Sequence, residues 1–503
     1  MNTNSNKQSV FRHPLGGIGG ALFIAGLILF IILVLIDITA ADENPYRSLV
    51  TFIFAPAISI SGFLLFWLST WMQIKKARKK GERYQFNFTF DNTDPHYMRN
   101  IGIFLGILFV LVILTIFSGT KAYEATDSVT FCGETCHEVM EPQYVTYQNS
   151  AHARVHCVEC HIGPGATFFV KSKVDGMRQL YATAVNSFSR PIKTPVHNLR
   201  PAQETCEGCH WPQKFYGEKM ITNTYYKSDE ENSPWTIKML VKIGGGNPRT
   251  GKLEGIHWHM LGPEIKYVAE DYQRQEINWV QVVKDDGDTL IYRMPDTDEP
   301  EFENPETDLR RFDCMDCHNR PSHSFNPPAK LINLALSTRN ISPELPSVRE
   351  KGLEILNAEY ETKDQAIQTI AADFNAFYDE EYPEVAKGKS TEIKQAIEEL
   401  QTIYQQNFFP EMKTDYRART NNLSHFVNDG CFRCHNGEME NQHGEKLTND
   451  CTTCHLIVAQ GPSEDVEQLE SNINGIEFKH PEDIDGAWME YKCTECHTPE
   501  SGY

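Results

Sequence analysis

Fourteen cysteines, arranged as seven close pairs and each pair followed at once by a histidine, leave this 503-residue chain few ways to fold. Six pairs read C-x-x-C-H: "CVECH" from Cys157, "CEGCH" from Cys206, "CMDCH" from Cys314, "CFRCH" from Cys431, "CTTCH" from Cys451 and "CTECH" from Cys493. The first in the chain, "CGETCH", is wider: three residues separate Cys132 from Cys136, then come His137 and, close behind, Met140. Disulfides explain an even count in an exported protein, but not a histidine after every pair. Zinc sites add later Cys or His ligands and do not need the Cys-His adjacency each time. C-x-x-C-H is the pattern of covalent haem attachment. Two thioethers tether the porphyrin, and the neighbouring histidine reaches the iron. We read seven covalently bound haem c groups. They attach through Cys132/Cys136, Cys157/Cys160, Cys206/Cys209, Cys314/Cys317, Cys431/Cys434, Cys451/Cys454 and Cys493/Cys496. His161, His210, His318, His435, His455 and His497 are the motif ligands of the last six.

Three apolar runs precede the first motif: Gly17–Ile36, Leu49–Trp71 and Ile101–Phe117. None has a polar face, and each has the length to cross a bilayer. Pro56 and Gly62 in the second are tolerated in membrane helices. No small-residue cleavage site follows the first run, which predicts an uncleaved signal anchor. The stretch "QIKKARKKGERYQ" between the second and third runs is basic, so the positive-inside rule puts it in the cytoplasm. Everything after about residue 118 then lies outside. The expected location is a bacterial inner membrane, multi-pass, with the haem part in the periplasm.

Charge divides the same way. Residues 1–118 hold ten Lys and Arg against six Asp and Glu, and the remainder holds 37 against 62. An acidic exterior does not suit nucleic acid. It suits fast, transient docking with a periplasmic cytochrome or other electron acceptor that has a basic docking surface. The alternating β-branched and aromatic residues of 219–305, with turns such as "KDDGD", predict a small β-rich insertion. The periodicity from Ser347 to Phe409 predicts a helical spacer. The expected fold class is a membrane-anchored multihaem cytochrome c with three transmembrane helices and a mainly α/irregular, haem-wrapped periplasmic part. Its expected divisions are a membrane anchor (1–118), a tetrahaem core (119–330, interrupted by 219–305), the spacer (331–412) and a trihaem module (413–503).

Three segments together resemble the NapC/NirT family of membrane-anchored quinol dehydrogenases: residues 132–140, "NSAHARVHCVECHIGPG" and "CMDCHNRPSH". The whole chain looks most like the inner-membrane heptahaem cytochromes of metal-reducing bacteria. The common family form has one membrane helix and four haems, so the added helices and the trihaem module depart from it. The resemblance implies that Met140 can replace His137 at the first iron. On a helix the two share a face, and a thioether raises the potential relative to two histidines. It also implies that His152 and His323 are distal ligands. It places a quinol site in "FFVKSKVDGMRQLY", with Lys171 or Lys173 at the head group, Asp175 accepting protons and Gln179 where some members have an aspartate.

Further ligands are expected from His257 and His259, two apart on a strand and so on one face. His425 and His480 lie just upstream of C-terminal motifs, and His443 or Met439 would serve the remaining haem. The implied function is oxidation of menaquinol or ubiquinol, a quinol:cytochrome c oxidoreductase activity in anaerobic respiration. The alternative is a multihaem terminal reductase of nitrite, hydroxylamine or a sulfur compound, but the lysine-ligated C-x-x-C-K motif is absent. Intact-mass measurement should show seven haem additions to the polypeptide. Six would mean that the wider spacing at Cys132 and Cys136 defeats attachment.

Overall fold

A computed structural model describes residues 14–39, 55–80, 124–134, 137–162, 166–195, 201–245, 255–284, 286–295 and 309–499, with isolated positions between 95 and 121 and at 297. The chain divides into two compact units. One holds residues 1–132 and 156–185, the other 133–155 and 186–503.

The first unit is built on two apolar helices, α1 (Pro14–Thr39) and α2 (Ala55–Lys79). They pack so closely that a Cβ on Gly19 would strike the backbone of Phe66, and one on Gly62 the backbone of Phe23. Small residues at such crossings are what lets membrane helices associate without a hydrophobic driving force between them. Ile24, Ile28, Ile60, Phe63 and Trp67 stay exposed, as side chains facing lipid would be. Among the described residues two helices have spanning length and composition, not the three expected. The expected third span, Ile101–Phe117, lies almost wholly outside the described residues. The second helix also runs further than expected: Lys75 to Lys79, assigned from sequence to a basic loop, form its last turns. Lys and Arg are good helix formers, and cations are favoured at a helix C-terminus. A further helix, α3 (Ala166–Ala184), begins shortly after the second haem motif.

The second unit has two antiparallel sheets and a group of helices. Strands β1 (Lys219–Tyr226), β2 (Pro234–Val241), β3 (Glu264–Ala269), β4 (Ile277–Val283) and β5 (Thr289–Arg293) come from the region expected to be β-rich, and β6 (Arg310–Arg311) lies just beyond its end. They do not close on themselves. The hairpin β1–β2 continues into β7 (His455–Gly461) and β8 (Glu470–Ile476), with Thr236 opposite Gly461 and Val241 opposite His455. The second sheet has the order β5-β4-β3-β6. The sixth motif is thus tied into the same sheet as residues 219–241, since β7 begins at His455.

Helices α4 (Pro328–Ser337), α5 (Val348–Asn357), α6 (Lys363–Glu381) and α7 (Ser390–Asn407) form the larger apolar core. The sequence explains their register. Thr362 caps α6 by accepting from Gln365 N at 3.2 Å, and Pro383 stops it, since the residue before proline is driven out of helical geometry. Ala366, Ile370, Phe374 and Tyr378 recur every four residues and are all fully buried. Ile370→Ala should therefore lower stability by about 2–5 kcal/mol, read as an earlier guanidinium midpoint in far-UV circular dichroism.

Candidate metal centres

Five motif histidines each face a histidine from elsewhere in the second unit. Ring centres are 6.1 Å apart for His210 and His152, 6.3 Å for His318 and His257, and 5.8 Å for His435 and His259. They are 6.1 Å apart for His455 and His425, and 5.9 Å for His497 and His480. A metal held by two imidazole nitrogens at about 2 Å each puts the ring centres roughly 6 Å apart. Direct contact between rings has no reason to reproduce one separation five times with interplanar angles from 12° to 87°. The residues present therefore fit an iron between each pair.

Hydrogen bonds set the rings for that task. His152 Nδ1 lies 3.1 Å from the carbonyl of Pro321, His259 Nδ1 2.8 Å from that of Ile256, and His435 Nδ1 2.8 Å from that of Thr448. His257 Nδ1 meets the carbonyl of Ile243, and His323 Nδ1 that of Gln143 at 2.9 Å. A carbonyl can only accept, so Nδ1 carries the proton and Nε2 is the basic nitrogen, the usual arrangement behind a metal-binding imidazole. His425 and His455 instead each have a buried ring nitrogen with no hydrogen-bond partner. Burial lowers the pKa of His259, His318, His425, His455 and His497. The neutral form, with its lone pair, is the ligand.

One expectation about these segments changes. His257 and His259 are not on a strand: they sit at the start of a one-turn helix, Trp258–Leu261. A turn of helix separates i and i+2 by about 200°, so the two rings diverge, one to His318 and one to His435. The motif histidines His210, His318, His435, His455 and His497 each face one of the five others, and neither His443 nor Met439 is among those five. His443 is exposed in a loop, and Met439 is wholly buried with Tyr267, Trp258, Phe312 and Cys434 around it.

The attachment cysteines follow one another in space. In the first unit Cys132 hydrogen-bonds Cys157, which draws the Cys157 thiol down to about 7. In the second, Cys206 likewise lowers Cys314. Burial pushes Cys317 up to about 12, and the nearby Cys431 adds to the shift. Cys431 in turn acts on Cys454, and Cys451 on Cys493. The fourth to seventh motifs thus form an unbroken spatial series, with the third beside the fourth.

The fold covers these cysteines unequally. Cys160, Cys209 and Cys496, each the second cysteine of its motif, are exposed and not enclosed by the fold. Cys431 and Cys451, the first of theirs, are exposed too. The reason is local geometry. Cys160 and Cys496 belong to isolated single turns, Cys157–His161 and Cys493–Cys496, and Cys209 lies in the turn that follows Ala202–Cys206. So short a turn cannot bury all its side chains, and a sulfur that is to bond a porphyrin must not be covered by other residues. These three positions remain candidates for attachment, on the outward side of their motifs.

One clamp was not foreseen from sequence. Asp313 caps the turn Cys314–Cys317 by accepting from Met315 N at 2.8 Å, and Asp316 accepts in return from Asp313 N at 2.7 Å. Arg310 holds both carboxylates, at 2.9 and 3.1 Å, and Tyr267 donates to Asp316 at 2.6 Å. Arg433, inside the fifth motif, donates to the backbone carbonyl of Asp316, inside the fourth, and to that of Arg274. The signal available was the pair of charged residues between motif cysteines, "CMDCH" and "CFRCH".

In the first unit, α3 carries the residues expected to meet quinol. Lys171 and Gln179 are exposed and Asp175 is half-buried. The three lie at i, i+4 and i+8, one stripe of the helix. Val174, Met177 and Tyr181 form an exposed apolar stripe beside it. The side chain of Lys173 is outside the described residues, as are Cys136 and the side chain of His137. Met140 is half-buried on the helix His137–Gln148.

Residues 95–204 match the N-terminal region of the NapC/NirT cytochrome c family. The chain is 37% identical over 488 residues to the cytochrome c-type protein ImcH of Geobacter sulfurreducens, covering 96% of this chain and 95% of that protein. It is 33% identical over 111 residues to the cytochrome c-type protein NrfH of Wolinella succinogenes, covering 22% of this chain and 59% of NrfH. Over 128 residues it is 30% identical to the cytochrome c-type protein TorC of Escherichia coli, covering 22% of this chain and 31% of TorC. No solved structure matches the chain. The pairing of rings predicts that His259→Ala keeps every covalent haem by intact mass but turns one low-spin ferric iron high-spin by electron paramagnetic resonance. His443→Ala should leave the spectrum unchanged.

Proposed function

Because the chain belongs to the NapC/NirT family of membrane-anchored multihaem cytochromes c, which work in electron transport, we propose that it oxidises a membrane quinol and delivers electrons to a periplasmic acceptor. The observation that carries this reading is the set of five facing histidine pairs. Two axial histidines close the iron to substrates, which suits electron transfer and not the open position a terminal reductase needs. When bound, haem c supplies a one-electron couple at each of seven motifs.

The protein's own residues have three tasks in this scheme. His152, His257, His259, His425 and His480 would complete the coordination of the last five irons, with His323 a further candidate ligand in the core and Met140 the candidate at the first. Lys171, Lys173, Asp175 and Gln179 bind the quinol head group, menaquinol or ubiquinol. A lysine ammonium stabilises the negative charge that develops there as protons leave, and Asp175 takes a proton toward the periplasm. The composition of the first unit supports this placement, since it joins α1 and α2 with Cys132, the second motif and α3. Electrons leave at the seventh motif, where Met489 and Tyr491 are exposed and acidic residues such as Glu482, Asp483 and Glu490 lie close in sequence. Exposed apolar and acidic residues in one stretch of chain suit a carrier whose docking surface is basic.

Lys171→Gln or Lys173→Gln should slow reduction by a menaquinol analogue at least tenfold, about 1.4 kcal/mol in the barrier. Dithionite should still reduce every haem at the parental rate. Parental quinol rates in both single variants and in the double variant would move the site elsewhere and leave these lysines as anchors at the membrane edge.

A further inference from the structure

Two arginines in the second unit converge without an acid to meet them. Arg419 is 2% exposed. Its Nη1 donates to Thr194 Oγ1 at 2.8 Å and its Nη2 to the carbonyl of Ile192 at 2.8 Å. Its Nε is buried with no hydrogen-bond partner. Arg320 reaches the same Thr194 hydroxyl through Nη2 at 3.3 Å and the carbonyl of Thr420 through Nε at 3.4 Å. Among the described residues no carboxylate forms an ion pair with either, and the charge that bears most on Arg320 is Arg419 itself. Contrast Arg310, equally close to a haem motif, which two aspartates neutralise. A guanidinium stripped of water and set against another is costly unless an anion joins it. Neutral acceptors meet only part of its five-donor fork.

The position says which anion. Arg320 lies two residues beyond His318 of the fourth motif, and the next residue, Pro321, gives the carbonyl that orients His152 opposite His210 of the third. Asn319 bonds the carbonyl of Thr420, the neighbour of Arg419, at 2.9 Å. The two guanidiniums therefore stand at the seam between the third and fourth motifs, where each haem brings two carboxylates of its own. Arginine is the side chain whose planar fork matches a carboxylate.

We propose that Arg320 and Arg419 are a clamp for a propionate of the haems carried by the third and fourth motifs. The inference rests on the haem reading above and adds a role to residues outside the coordination. The clamp keeps the propionate ionised. Its second, uncompensated positive charge favours the electron-rich reduced iron, and so raises that haem's potential.

Spectroelectrochemical titration of the full-length protein in detergent tests this, with intact mass first establishing the haem count for wild type and variants. In Arg419→Gln and Arg320→Gln one component of the titration should move to lower potential. It should also acquire a downward slope with rising pH across about pH 6 to 9, because the released propionate now binds a proton on reduction. Arg419→Lys, which keeps the charge, should hold most of the parental potential, and it serves if the glutamine variants fail to fold. Unchanged potentials and unchanged pH slopes in variants with a full haem complement would overturn the clamp while leaving the haem reading intact. A wild-type potential that shifts when chloride replaces a bulky organic anion at constant ionic strength would also overturn it, by assigning the site to a small free anion.

Discussion

An iron in a porphyrin has two axial positions, and the C-x-x-C-H motif fills only one of them. A second imidazole would have to come from elsewhere in the chain, and in the larger unit five motif histidines each face one. His152 comes from the turn between two motifs, His257 and His259 from one helical turn in the β-rich region, and His425 and His480 from loops leading into C-terminal motifs. Each of these segments is held by backbone hydrogen bonds or by sheet pairing, so the pairs are set before any ring is placed. The joined sheet β1-β2-β7-β8 is one such device, because β7 begins at His455 itself.

How much of this was legible beforehand depends on range. The attachment motifs read off the cysteines because the pattern is made of adjacent residues. The helices α4–α7 read off their stripes, because Ala366, Ile370, Phe374 and Tyr378 repeat with the helical period. The facing histidines did not, because they join residues up to 176 positions apart, as between His259 and His435, and nothing local encodes the partner. Nor did the exposure of Cys160, Cys209 and Cys496, since the motif names the bonding atoms and not the side of the turn that protein covers. The local error was one of period: "GIHWHM" alternates like a strand, yet Gly255 and Gly262 bracket it as a helical turn, with Gly255 at φ 92°. That switch sends neighbouring histidines to two different motifs instead of one.

Residues 219–311 illustrate the same point at the scale of a module. From sequence most of this stretch, residues 219–305, is an insertion into a haem core. In the structure residues 219–311 donate two facing histidines, brace the fourth motif through Tyr267 and Arg310, and supply half the sheet that carries the sixth motif. A segment without a single haem motif thus contacts three of them.

Electron transfer between neighbouring carriers is sensitive to their separation, so what holds one motif to the next matters as much as what binds each haem. Between the fourth and fifth motifs that hold is built from the motifs' own variable positions. Asp316 and Arg433 do not pair through charge. Arg433 directs its guanidinium to three carbonyls, those of Gly430, Asp316 and Arg274, while the Asp316 carboxylate is taken by Arg310 and Tyr267. Backbone carbonyls move less than side-chain carboxylates. A clamp on them therefore fixes the spacing of two attachment turns whatever the protonation or redox state of the groups between. A side-chain contact of another kind links the seventh motif to the fifth: the Thr494 hydroxyl donates to the Asp429 carboxylate, just ahead of the fifth, at 2.6 Å. The positions between motif cysteines, free by the attachment rule, are where this chain writes its inter-motif geometry.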